Sequence, residues 1–109
     1  MILTELPATS LQYVGVPVTA KKSGLLQNPT TDPVVMAFMP SGKDPASADW
    51  QAATWMTDAT GTLPVYYAIC LVGPGGTIAL GVGTYDVWVK VTDNPEIVVL
   101  KSPVPVEVI

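Results

Sequence analysis

Apolar and polar residues alternate with a period of two along most of this chain, the pattern of strands that bury one face. In Gln12 to Ala20, Val14, Val16, Val18 and Ala20 fall on one side, with Tyr13, Gly15, Pro17 and Thr19 on the other. Pro17 has no amide hydrogen to give to a ladder, which marks an edge strand. Asn28 to Pro33 is a turn cluster leading into Val34 to Met39, whose two apolar faces predict a central strand. Ser41 to Ala48 is a loop. Asp49 to Trp55 fits either a short helical turn or a strand, and strand is the reading adopted. Val65 to Val72 and Thr84 to Thr92 carry the clearest strand signals. In the second, Tyr85, Val87, Val89 and Val91 form the inward face, opposite Asp86, Trp88, Lys90 and Thr92. Asp93-Asn94-Pro95 turns the chain and Glu96 to Leu100 returns. Val104, Val106 and Val108 then alternate with Pro103, Pro105 and Glu107 in a final edge strand.

About seven short strands at roughly ten-residue spacing predict a two-sheet sandwich. The 11 Pro and 9 Gly leave no window for a helix of ordinary length. A narrower cue lies in Gly83-Thr84-Tyr85-Asp86-Val87, which sets a Tyr two positions before an inward residue at the start of a late strand. That resembles a tyrosine corner, in which the Tyr85 hydroxyl bonds back to the preceding turn and Gly83 permits a tight approach; the alternative is an ordinary strand tyrosine. The expected fold is all-β, an immunoglobulin-like two-sheet antiparallel sandwich forming one domain over residues 1–109, with residues 1–11 as an extended N-terminal arm. It has no disulfide, because Cys70 is the only cysteine.

Composition removes function classes more readily than it adds them. Charged residues are 13% of the chain and the net charge is -4 with no Arg, which argues against binding a phosphate backbone. Without His and with one Cys, no zinc site of ordinary ligand count can be assembled, and neither metal nor cofactor is expected. Asp44, Asp49 and Asp58 are too widely spaced for a calcium loop. Gly73-Pro74-Gly75-Gly76 begins as a phosphate-binding loop does, but no Lys-Ser/Thr follows and Gly81 and Gly83 interrupt any helix after it, so it is a turn. Cys70 has no imidazole to activate it and reads as a buried thiol. No carboxylates are placed as an acid/base pair, so no enzymatic activity is expected. Met1 to Ser10 does not read as a secretory signal, and the apolar run Leu63 to Val72 is too short for a membrane helix.

The three Trp are left as candidates for recognition. Trp55 is expected in the core between the sheets, and Trp50 as a cover at the rim. Trp88 shares its outward face with Asp86 and Lys90, an expensive place to expose an indole. It is a candidate interface anchor, with Asp86, Lys90 and Trp50 as the other candidate interface residues, unless the chain's own N-terminal arm covers it.

Several segments together resemble a known group: Glu5-Leu6-Pro7-Ala8-Thr9-Ser10, Val16-Pro17-Val18-Thr19-Ala20, Asp32-Pro33-Val34, Asp49-Trp50 with Ala53-Thr54-Trp55, Tyr67-Ala68 with Leu71 to Gly76, and Gly83-Thr84-Tyr85-Asp86-Val87-Trp88-Val89. They are similar to small immunoglobulin-like virion structural proteins of tailed actinobacterial phages. The resemblance implies a non-enzymatic particle component, a capsid decoration protein or part of the head-to-tail or tail apparatus. Its partners would be capsid or tail proteins, or further copies of itself, in the virion and, during assembly, in the host cytoplasm. Nucleic acid, membrane and small-molecule ligands are not expected partners. The competing expectation is an immunoglobulin-like host-surface carbohydrate-recognition module, with Trp50, Trp55, Tyr66 and Tyr67 as an aromatic platform for a sugar ring. The lack of Arg and His beside those rings weighs against it.

Overall fold

The alternating valines fold as the inner faces of two stacked sheets. A computed structural model describes residues 5–22, 25–93 and 96–109. Its strands are β1 (Glu5–Leu6), β2 (Gln12–Val18), β3 (Ala20–Lys22), β4 (Leu25–Gln27), β5 (Val34–Pro40), β6 (Gln51–Ala52), β7 (Thr54–Asp58), β8 (Val65–Val72), β9 (Gly83–Asp93), β10 (Glu96–Lys101) and β11 (Val106–Val108), with a 3-10 turn at Ser47–Asp49. One sheet runs β1-β11-β9-β5-β6, with β10 also paired to β9, and the other runs β2-β8-β7. The β3–β4 hairpin stands apart from both. Consecutive strands pass between the sheets in the order that places the B, E and D strands of an immunoglobulin-like sandwich opposite its G, F and C strands. The fold is therefore all-β and immunoglobulin-like.

Strand β9 is the axis of the larger sheet. Its Val87, Val89 and Val91 stand opposite Phe38, Met36 and Val34 of β5, all on the inner face. From the other sheet Val14, Val16 and Val18 of β2 and Ala68, Cys70 and Val72 of β8 complete one apolar cluster. Burying each valine side chain contributes about 1.5–3 kcal/mol relative to leaving it in water, so this face dominates stability. Trp55 on β7 packs against the cluster, and its indole N–H donates to the Asp32 carbonyl at 2.9 Å. That bond fastens the smaller sheet to the start of β5. The predicted core of Val14, Val16, Val18, Phe38, Val87, Val89 and Val91 is buried as expected, and β2 is an edge strand.

Other expectations need correction. Tyr85 is half-buried rather than buried, because its ring lies at the rim of the core and its hydroxyl points out to a turn. Asp49 to Trp55 is no single strand. The 3-10 turn ends at Asp49, β6 joins the larger sheet, and β7 joins the smaller one after the chain crosses at the small, half-buried Ala53. The final strand is not an edge, since β11 lies between β9 and β1. Pro103 and Pro105 interrupt its ladder, separating β10 from β11 where one continuous strand would otherwise run beside β9. The sandwich is not wholly antiparallel either: β1 runs parallel to β11, with Glu5 opposite Glu107 and Leu6 opposite Val108. The N-terminal arm is thereby tied to its own domain from Glu5 onward, with Leu6 in the core. Met1 to Thr4, the Asn94-Pro95 turn and the Ala20 side chain lie outside what the structure describes.

Candidate functional site: the outer face of β9 and the open strand β10

The outer face of β9 is built by simple alternation. With Val87, Val89 and Val91 turned inward, Asp86, Trp88 and Lys90 must point away from the core. Cross-strand neighbours then decide what they meet. Strand β10 sets Lys101 beside Trp88 and Val99 beside Lys90, while β5 contributes Ala37 and Val35 on the other flank. The Lys101 ammonium sits 5.5 Å from the centre of the Trp88 ring and 3.4 Å from the Asp86 carboxylate. Trp50, carried to this side by β6, lies under the Lys90 ammonium at 4.6 Å. The four residues singled out as an interface, Asp86, Trp88, Lys90 and Trp50, thus do belong to one surface.

Among the described residues it is Lys101 of β10 that lies over the Trp88 indole, while the arm from Glu5 onward pairs with β11. Lys101 acts as an apolar stem carrying a cation held above the ring, an arrangement worth about 0.5–1 kcal/mol at an exposed site. The Trp88 Nε1–H is buried and has no acceptor among the described residues. Asp86 accepts the Gly42 N–H at 3.1 Å, and this bond, with the nearby Lys101 ammonium, holds its carboxyl below the usual aspartate range.

The residues that sequence reasoning missed are on β10. Glu96-Ile97-Val98-Val99-Leu100-Lys101 pairs with β9 along one side only, and among the described residues nothing pairs with its other side. Ile97, Val98 and Val99 are 62%, 43% and 48% exposed. Val98 and Leu100 share the inner face with Val91 and Val89, whereas Ile97 and Val99 lie outside beside Thr92 and Lys90. Its side chains are apolar on both faces, a pattern that does not by itself distinguish a covered strand from an open one. Proteins usually blunt such an edge with Pro, a bulge or central charges, as Pro17 does on β2. On β10 the charges stand only at the two ends.

Other candidate sites resolve into structural roles. The Tyr85 hydroxyl donates to the Gly81 carbonyl at 2.9 Å, closing a tyrosine corner. Gly83 serves it through a backbone φ of +151° and not through a close approach, because a Cβ there would meet Tyr85 at an ordinary 3.9 Å. The Gly73, Gly76 and Thr77 amides donate to the Ile78, Gly73 and Leu71 carbonyls, which closes the glycine segment into a turn and leaves those donors unavailable to an anion. A Cβ at Gly73 would run into the Ser10 carbonyl, so that glycine lets the chain cross. Cys70 is buried, desolvation raises its thiol pKa, and the thiol donates to the Ala52 carbonyl at 3.6 Å. Asp49 and Asp58 accept backbone N–H bonds from Ala46 and Thr60 in their own turns.

The aromatic platform does not assemble. Trp50 lies on the outer face of the larger sheet, while Trp55 and Tyr66 share the inner side of the smaller one with Ala68 and Val18. Tyr67 points from the opposite side of β8 beside Pro17 and Met56. No single ligand can stack on all four. Among the described residues no group of three or more His, Cys, Asp or Glu side chains is placed to hold a metal ion. Comparisons with protein-family models, curated proteins and solved structures give no match to this chain.

Proposed function

We propose that this chain is a non-enzymatic structural protein of a tailed-phage particle, acting by protein–protein association as a capsid decoration or as a head-to-tail or tail component. The observation that carries the association half is β10, a six-residue strand whose second side has no partner among the described residues and whose Ile97, Val98 and Val99 are exposed. An unpaired edge of this length offers main-chain donors and acceptors to an added strand, and its side chains offer the apolar contact that makes strand addition stable. The neighbouring face, with Trp88 and Trp50 under Lys101 and Lys90, supplies large rings beside that edge. The particle half rests on the resemblance of segments such as Gly83-Thr84-Tyr85-Asp86-Val87-Trp88-Val89 to small virion structural proteins of tailed phages.

Quantitative mass spectrometry and immunogold microscopy of purified virions from the phage encoding the sequence test the reading. The expected result is a fixed copy number at one position on intact particles, with the folded Val99→Lys variant failing to incorporate. Absence from particles, or normal incorporation of Val99→Lys, would overturn it.

A further inference from the structure

We infer that the occupant of the β10 edge is a second copy of this chain, paired antiparallel about a two-fold axis midway between the two Val99 residues; the inference rests on reading β10 as the docking edge. The backbone fixes which groups are free. The Ser102 N–H bonds to the Val87 carbonyl at 2.8 Å, so even-numbered β10 residues turn their amide groups toward β9. By alternation Ile97, Val99 and Lys101 direct their N–H and C=O groups to the open side.

Symmetry then restricts the pairing. Opposite residues of an antiparallel pair point to the same face, so a two-fold relating the copies is perpendicular to the sheet and passes midway between a residue and its own counterpart. Centred on Val99, the register sets Ile97 against Lys101 of the second copy, Val99 against Val99, and Lys101 against Ile97. Every outward-directed residue of β10 then meets another outward-directed residue. Centred on Val98, the register leaves Lys101 beyond the paired segment.

The side chains fit the same arrangement. Val98 meets Leu100 of the second copy on the inner face, and Ile97 covers the stem of the Lys101 that shields Trp88 on the outer face. Each strand carries an acid at one end and a base at the other, so the antiparallel sense brings the Glu96 end of each copy to the Lys101 end of its mate. No like charges oppose one another. The chain's net charge of -4 is not concentrated on this edge, where Glu96 and Lys101 cancel.

Cysteine scanning in the full chain tests the register, with Cys70 left in place because it is buried. A hydrogen-bonded antiparallel pair brings Cα atoms to about 5.5 Å, within disulfide range. Under mild oxidation Val99→Cys alone is expected to cross-link into a dimer. Ile97→Cys and Lys101→Cys are expected to cross-link only when mixed. In sedimentation equilibrium the unmodified chain shifts from monomer to dimer mass as concentration rises, and Val99→Lys, with unchanged circular dichroism, stays monomeric. Monomer mass at all concentrations together with no Val99→Cys cross-link overturns the inference, as does self-cross-linking of Ile97→Cys. If the chain is monomeric yet Val99→Lys is lost from particles, self-pairing fails and the association reading stands. If the dimer forms but the chain is absent from virions, the particle reading fails alone.

Discussion

Strands β5 and β10 flank the same partner, β9, and both are apolar on both faces, yet they end in opposite environments. Met36 and Ala37 of β5 are 0% exposed, whereas Ile97 of β10 is 62% exposed. The difference lies in the path the chain takes on leaving each strand. After β5 it doubles back: Ser41 donates to the Thr84 carbonyl, Gly42 to Asp86, and the 3-10 turn packs against the strand before Trp50 arrives on its outer side. After β10 the chain meets Pro103 and Pro105 and continues along β9 as β11, so among the described residues no following segment folds back over it. Two apolar strands thus become core and open edge according to whether the next loop returns.

The largest test removes packing from the covered strand. Met36→Ala is expected to cost about 2–5 kcal/mol, whereas Val98→Ala on the open strand costs under about 1 kcal/mol. Urea unfolding of the two variants checks the contrast, and similar losses would mean that β10 is buried in solution. At the end of β9 held between β5 and β11, Tyr85→Phe removes the corner bond to Gly81 and is expected to cost about 1 kcal/mol. An unchanged denaturation midpoint would show that the bond contributes nothing. Val99→Lys is expected to alter the monomer's stability by no more than about 0.5 kcal/mol, since it changes an exposed position. A larger loss under dilute conditions would place Val99 in the fold's own packing.

The smallest effect concerns the bridge between the two flanks. Asp86 joins the loop after β5, through Gly42, to β10, through Lys101. Its carboxyl pKa is lowered by the Gly42 bond first and by Lys101 second, so the folded state binds the proton less readily than the unfolded chain. The contribution is full above the ordinary aspartate range of about 4 and fades as pH falls through and below it. Asp86→Asn is expected to flatten this part of the acid limb, measured as the urea midpoint from about pH 5 down to about pH 2. An unchanged acid limb would remove Asp86 as its source.

Much of the fold was legible because period-two alternation reports a face directly. Val14, Val16, Val18, Val87, Val89 and Val91 had only one way to point once they were strands. The tyrosine corner was legible for the same reason, being local in sequence. The crossing at Ala53, the parallel pairing of β1 with β11 and the exposure of β10 depend on contacts distant along the chain, which alternation does not encode. Within the candidate site, Asp86, Trp88 and Lys90 could be placed outward from their own strand. Lys101 could be placed beside Trp88 only after the β9–β10 register was known, and the open edge only after every neighbour was.

The parallel contact between β1 and β11 also determines how the domain carries load. Ala8 donates to the Ile109 carbonyl at 2.8 Å and Ile109 to the Leu6 carbonyl at 3.0 Å, so the two terminal segments are laced together. Tension entering before Glu5 and leaving after Val108 pulls parallel strands in opposite directions along their length. The bonds between them must then slide and break together, instead of peeling one by one as they would in a hairpin opened at its ends. Resistance to such pulling is set by the unfolding rate rather than by equilibrium stability. A domain attached at both ends is therefore loaded in shear across the β1–β11 contact.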